Sequence, residues 1–191
     1  MQKGEHGFER EVANESWEPV TRDVPAIQLP STNGSVRLAE FCAERAVLYV
    51  YPATGVPGRD PAIDPAPGWD DIPGAAGCTP QSLGFKSAYA DFARQGIRVA
   101  GVSTQPLAEQ KDFAERHQLP FPLLCDEELG LQGALALPTF KIGSRTFLKR
   151  LMLYVEGMRL RDVISAISSP ADSAQQMLAL LHKKATRSGQ R

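Results

Sequence analysis

The chain has 191 residues, 42% hydrophobic and 23% charged, with a formal net charge of −1. That is one domain's worth of core, and the balance excludes a protein held to nucleic acid by bulk charge. Three cysteines (Cys42, Cys78 and Cys125) are too few and too scattered for a disulfide framework. The polar start Met1 to His6 has no apolar signal core, and no run is long enough to span a bilayer. The expected compartment is the reducing cytoplasm, with no membrane partner.

Residues 1–23 read as a flexible polar N-terminal arm pinned by Trp17, and 24–185 as the folded domain. Ala26 to Leu29 suggests a short strand. Ser31-Thr32-Asn33-Gly34 gives a turn, Val36 to Leu38 a returning strand, and Leu38 to Arg45 a short helix. Ala46-Val47-Leu48-Tyr49-Val50-Tyr51 is an apolar run rich in β formers, as in a strand buried on both faces. It stops at Pro52, and an irregular Pro- and Gly-rich stretch runs to Gly77. So long a connection is usually functional.

Thr79 to Arg94 reads as a helix, because Phe85, Ala88, Tyr89 and Phe92 share one face of a 3.6-residue period. Pro80 suits its first turn and Gly96 its C-terminal cap. Ile97 to Val102 is a second core strand, Pro106 to Gln118 a helix, and Phe121 to Leu124 a third strand, placed at an edge by Pro122. Glu127 to Leu135 is a short helix. Thr139–Ile142 and Thr146–Val155 form a hairpin, and Met158–Ile164 a last strand. Ser169 with Pro170 starts a helix that runs to about Lys184, leaving 186–191 as a disordered basic tail. The order gives an α/β chain with a thioredoxin-like fold: a central mixed sheet flanked by helices. Its site belongs at the carboxyl ends of the parallel strands, where Pro52, Cys78 and Ser103 fall.

Gly77-Cys78-Thr79-Pro80 puts a thiol at a helix N-terminus, where free N–H groups and the helix dipole favour an anion. The expected effect is a lowered thiol pKa. Gly77 leaves the approach open, and the alternative is a cysteine that merely packs under the helix. His6, His117 and His182 make no metal spacing, so neither metal nor cofactor is expected. No Cys-x-x-Cys, Walker loop or Gly-x-Ser-x-Gly is present.

Tyr49-Val50-Tyr51-Pro52, Gly77-Cys78-Thr79-Pro80-Gln81-Ser82 and Val99-Ala100-Gly101-Val102-Ser103, in this order and spacing, resemble the peroxiredoxins. Phe121 to Asp126 and Lys149-Arg150-Leu151 extend the resemblance over roughly residues 24 to 165. It is nearest the PrxQ or bacterioferritin-comigratory branch of the AhpC/TSA family, with an enlarged loop before the cysteine. The resemblance implies a thiol-dependent antioxidant peroxidase acting on hydrogen peroxide or alkyl hydroperoxides. Cys78 would be the peroxidatic cysteine and would pass through a sulfenic acid. Arg150 would favour its thiolate, Pro52 would shield the sulfur, and Gly77 and Thr79 would border the substrate pocket.

Three departures accompany the resemblance. The motif proline and threonine are replaced by Asp71 and Ala75, so Thr54 or Thr79 is left to hold the peroxide. Leu83 stands where many relatives carry a resolving cysteine, which implies one-cysteine chemistry. Resolution then falls to Cys125, to Cys42 or to an external thiol such as thioredoxin, glutaredoxin or glutathione. The loop Gly55 to Ala76, with Gly68-Trp69-Asp70, either packs over the pocket or forms a contact surface. A non-turnover peroxide sensor and a thioredoxin-fold interaction module remain as alternatives, and the assembly is a monomer or homodimer.

Overall fold

The computed structural model describes residue 17 and residues 21–59, 68–165 and 167–188. The expected N-terminal arm, apart from Trp17 and 21–23, lies outside the described residues, as do 189–191 of the expected tail. A seven-stranded sheet runs in the order β2 (Gly34–Arg37), β1 (Gln28–Ser31), β5 (Leu123–Cys125), β4 (Ile97–Ser103), β3 (Arg45–Val50), β8 (Leu151–Glu156), β9 (Arg159–Ile164). β3 is parallel to β4 and antiparallel to β8, and β4 is parallel to β5. The sheet is thus mixed.

Alternation along the central strands splits the core into two layers. Ala46, Leu48 and Val50 of β3, with Leu151, Leu153 and Val155 of β8, face a cluster containing Leu38, Cys42, Leu131 and Leu135. Those partners come from α1 (Leu38–Phe41), the residue after it, and α4 (Gly130–Leu135). Val47, Tyr49 and Tyr51 point to the opposite face, against Phe85 and Phe92 of α2 (Cys78–Arg94), Phe113 of α3 (Leu107–Arg116) and Met177 of α5 (Ser173–Ser188). The periodic face of α2 read from the sequence is the one buried, with Phe85, Ala88 and Phe92 fully enclosed.

Several boundaries differ from the sequence reading, each for a tertiary reason. β5 is interior: Pro122 lies just before it, and Ser31 of β1 pairs with Leu124 on the side expected to be open. α1 stops at Phe41 because the carbonyls of Cys42 and Glu44 accept from Met158 and Gly157 instead of continuing a helix. α4 begins only at Gly130, where the Asp126 carboxylate accepts from the Leu131 and Gln132 amides at 2.8 Å each. α3 ends at Arg116, with Gln118 at φ 48. α5 follows a 3-10 turn at Pro170–Asp172 and runs to Ser188, beyond Lys184, so residues 186–188 of the expected tail are helical.

The long hairpin is interrupted. β6 (Thr139–Ile142) pairs with β7 (Arg145–Leu148) as a separate two-stranded sheet, and the chain steps to β8 through Lys149-Arg150. Trp69 packs edge-on against Phe140 and Phe147 of this hairpin, which ties the loop before α2 to it.

Two close approaches seat α2. A Cβ on Gly101 would meet Leu123 at 2.6 Å and the Tyr49 ring at 2.7 Å, so this glycine makes room for Tyr49 across the β3–β4 pair. The Tyr49 ring stacks on Phe85 at 4.4 Å, and its hydroxyl donates to Ser82 at 3.1 Å. On the outer side, Gly77 and Gly84 leave space for Pro170 and for the Ala171 carbonyl. No helix among the described residues is long and apolar enough to cross a membrane.

Candidate active site

Cys78 is the first residue of α2, one residue after Gly77 in the left-handed region at φ 97. That turn reverses the chain from the loop into the helix and presents the sulfur at its N-terminal end. Its thiol donates to the Ala75 carbonyl at 3.5 Å, and the Arg150 Nη2 donates to the sulfur at 3.2 Å. Arg150 sits at the step between β7 and β8, which turns its side chain in toward α2. It is 5% exposed. The rest of its fork is occupied: Nε donates to Gly74 O at 3.2 Å, Nη2 to Ala75 O at 3.3 Å and Ala76 O at 2.9 Å, and Nη1 to Gln81 Oε1. A planar guanidinium suits this set, because its donors are fixed in direction. One cation thereby binds the loop before the helix, the helix itself and the sulfur.

Two effects on the thiol compete. Burial pushes the Cys78 pKa above its ordinary value, since ionising a sulfur away from water is costly. The Arg150 charge, the Ala53 amide, the Arg150 hydrogen bond and the Cys78 amide pull it back, and burial prevails. The expectation of a lowered pKa from the helix N-terminus alone is thus corrected. Cys78 is 4% exposed, enclosed in part by the loop and hairpin packed over it.

The sulfur opens on a cavity of about 220 Å³. Its lining includes Thr54, Trp69, Gly77, Thr79, Gln105 and Phe147. Gly77 and Thr79 therefore border the pocket. Pro52 is buried but is not among the lining residues, which begin at Ala53. Thr54 reaches the cavity, yet its hydroxyl donates to Gln105 Oε1 at 3.1 Å, so that proton is turned away from an incoming oxidant. The residue three before Cys78, Ala75, contributes its carbonyl alone.

All three cysteines are free and buried. Cys125 ends β5, opposite Ser103 in the parallel ladder, and its thiol donates to Gln105 O at 3.4 Å. β5 is two strands from β3, about 10 Å at the usual spacing. Cys42 packs on the other face of the sheet, where burial holds its thiol up at about 12.

Sequence reasoning missed Gln105, Gln81 and the Ala53 amide. Gln81 stands one helical turn after Cys78, where residues i and i+3 share a face. That spacing was a usable signal. Gln105 offered none: a polar residue beyond a strand end reads as a solvated loop.

Residues 73–155 match the AhpC/TSA family. The chain is 30% identical to the chloroplastic peroxiredoxin Q of Triticum aestivum over 121 residues, 63% of this chain and 47% of that protein. It spans about half the length of the curated relatives it matches. Among solved structures it is similar to peroxidoxin BcpB from Mycobacterium tuberculosis, with TM-score 0.67, 24% identity and coverage of 86% and 97% of the two chains. It is also similar to the bacterioferritin comigratory protein of Xanthomonas campestris, with TM-score 0.65, 19% identity and coverage of 88% and 99%. By the segment match and by these relatives the chain is similar to the AhpC/TSA proteins, and by the thioredoxin-type sheet shared with the solved structures it has the fold of the PrxQ-type peroxiredoxins.

Proposed function

We propose that the chain is a thiol-dependent peroxidase that reduces hydrogen peroxide or alkyl hydroperoxides at Cys78. One observation carries the reading: a guanidinium nitrogen stands 3.2 Å from a cysteine sulfur at a helix N-terminus, beside a cavity large enough for a small organic hydroperoxide. The thiolate attacks the distal oxygen of ROOH. The S–O bond forms as the O–O bond breaks, giving a cysteine sulfenic acid and RO⁻, which takes a proton to leave as ROH. Arg150 favours the thiolate before attack and the alkoxide after it. A thiol RʹSH then displaces hydroxide from the sulfenic sulfur, releasing water and leaving a mixed disulfide. A second thiol reduces that disulfide and restores Cys78.

The one-cysteine form is proposed because Leu83 blocks a resolving thiol within the helix and Cys125 is two strands from β3. An external thiol of a reducing compartment then serves as reductant. The support for the peroxide class is the similarity to peroxiredoxin Q and to a structure concerned with alkyl peroxide reduction.

The test is peroxide consumption with thioredoxin, glutaredoxin or glutathione as donor, comparing wild type, Cys78→Ser and Cys125→Ser. Cys78→Ser is expected to lose turnover entirely and Cys125→Ser to keep it. Unchanged turnover in Cys78→Ser refutes the peroxidase, and lost turnover in a folded Cys125→Ser refutes the one-cysteine form.

A further inference from the structure

The main-chain ladder between β3 and β4 ends at Tyr51, whose amide donates to Val102 O at 3.0 Å. Pro52 has no N–H to extend it. Beyond that point two side chains from the end of β4 take over. Ser103 Oγ donates to Pro52 O at 2.7 Å and accepts from Gln105 N at 3.0 Å. Gln105 then holds the main chain of Thr54 at both its N–H and its carbonyl. Its Oε1 accepts from Thr54 N at 2.9 Å, and its Nε2 donates to Thr54 O at 2.8 Å. A carboxamide matches a peptide in its donor and acceptor, so the pair reproduces one rung of a ladder in side-chain form.

Gln105 is itself held. It is 1% exposed, its carbonyl accepts from Gln110 Nε2 at 2.7 Å, and its Nε2 also donates to Glu109 at 2.9 Å. Gln110 in turn accepts from the Tyr51 hydroxyl at 3.1 Å, closing a loop back to β3. The residue between the two gripped positions is Ala53, which borders the same cavity as Cys78 and whose amide is among the groups that favour the thiolate. Pro52 and Thr54 are fixed by hydrogen bonds, and Ala53 between them is left to aim its N–H.

We infer that Gln105 is a positioning residue for the reactive thiol, acting through the Thr54 main chain to keep the Ala53 amide turned toward the cavity that Cys78 lines. It touches the reacting atom only through this segment. The inference deepens the proposed peroxidase site, but the chemistry it predicts is that of the thiol itself and can be read without peroxide.

The experiment is peptide-resolved alkylation of the full chain with iodoacetamide across pH, quantified at Cys78 by mass spectrometry. The variants are Gln105→Met, close in shape but without the amide, and Gln105→Asn, which keeps the amide on a shorter stem. Loss of the grip is expected to move the pH profile of Cys78 alkylation upward and to slow alkylation at pH 7 about tenfold. Asn is expected to shift the profile in the same direction by a smaller amount. Alkylation of urea-unfolded protein, expected to be equal in all three, excludes a trivial change in reagent. A folded variant with the wild-type profile overturns the inference. Amide exchange in the wild type gives an independent reading: slow exchange at Thr54 is expected, and fast exchange there overturns the inference even if neither variant folds. Failure of peroxide turnover with a shifted alkylation profile would refute the peroxidase and leave the positioning role standing.

Discussion

Replacing Arg150 with methionine should silence Cys78 while leaving most of the fold in place. The guanidinium nitrogen is 3.2 Å from the sulfur. At an effective dielectric constant of 20, a unit charge there stabilises the thiolate by about 5 kcal/mol. That corresponds to a loss of more than a thousandfold in the ionised fraction at pH 7. The same substitution strips partners from the carbonyls of Gly74, Ala75 and Ala76 and from Gln81. Buried groups left unpaired cost roughly 1–3 kcal/mol each, less where the loop can turn them to water. A lower melting temperature should therefore accompany the loss of reactivity. Arg150→Lys keeps the charge but not the fork, and should fall between the two. The assay is stopped-flow measurement of the second-order rate with peroxide, alongside thermal melting of each variant. A folded Arg150→Met within threefold of the wild-type rate at pH 7 would refute the electrostatic role.

Two further outcomes follow from packing and burial. Cys42 keeps its proton in the folded chain up to about 12, against 9.0 for the free thiol, because of burial. Between these values the unfolded chain binds fewer protons than the folded one, so stability falls as pH rises. Cys42→Ala should lose about 1 kcal/mol at pH 7 from the smaller side chain, with a deficit that narrows above pH 9 and reverses before pH 12, because each pH unit there costs the wild type about 1.4 kcal/mol. Urea unfolding at each pH measures it, and a constant gap would contradict the burial argument. Gly101→Ala forces a methyl against Leu123 and the Tyr49 ring. It should cost about 1–3 kcal/mol by overpacking and weaken the Tyr49–Ser82 bond. Urea denaturation tests the first effect, and a neutral result would mean the strands separate freely there.

The parts of this molecule legible in the sequence were those written locally. The unbroken apolar run of β3 announced a strand buried on both faces. The spacing of Phe85, Ala88 and Phe92 announced the buried face of α2, and Gly77-Cys78 its N-terminal end. Long-range pairing was not legible. Pro122 suggested an edge, and only the distant Ser31 opposite Leu124 shows β5 to be interior. The run Thr146–Val155 is broken by the charged pair Lys149-Arg150, the local mark of the step from one sheet to the other, which reads equally as two polar positions within one continuous strand. Arg150 was placed through family resemblance, since a strand arginine has no periodicity that reveals its target. The direction of the Cys78 pKa failed for a related reason. A helix N-terminus is visible in a motif, whereas the burial that outweighs it depends on a loop and a hairpin closing over the sulfur.

The two bare positions on the outer side of α2 extend this beyond the reacting atoms. Gly77 and Gly84 carry no group that could take part in catalysis, yet a methyl at either would collide with Pro170 or the Ala171 carbonyl. Such a change would pry the C-terminal segment from the helix that begins with Cys78. A survey of inactivating substitutions should therefore find hits at two chemically mute sites. The tolerance of this protein to mutation is set as much by where its C-terminal segment docks as by the sulfur that segment helps to seat.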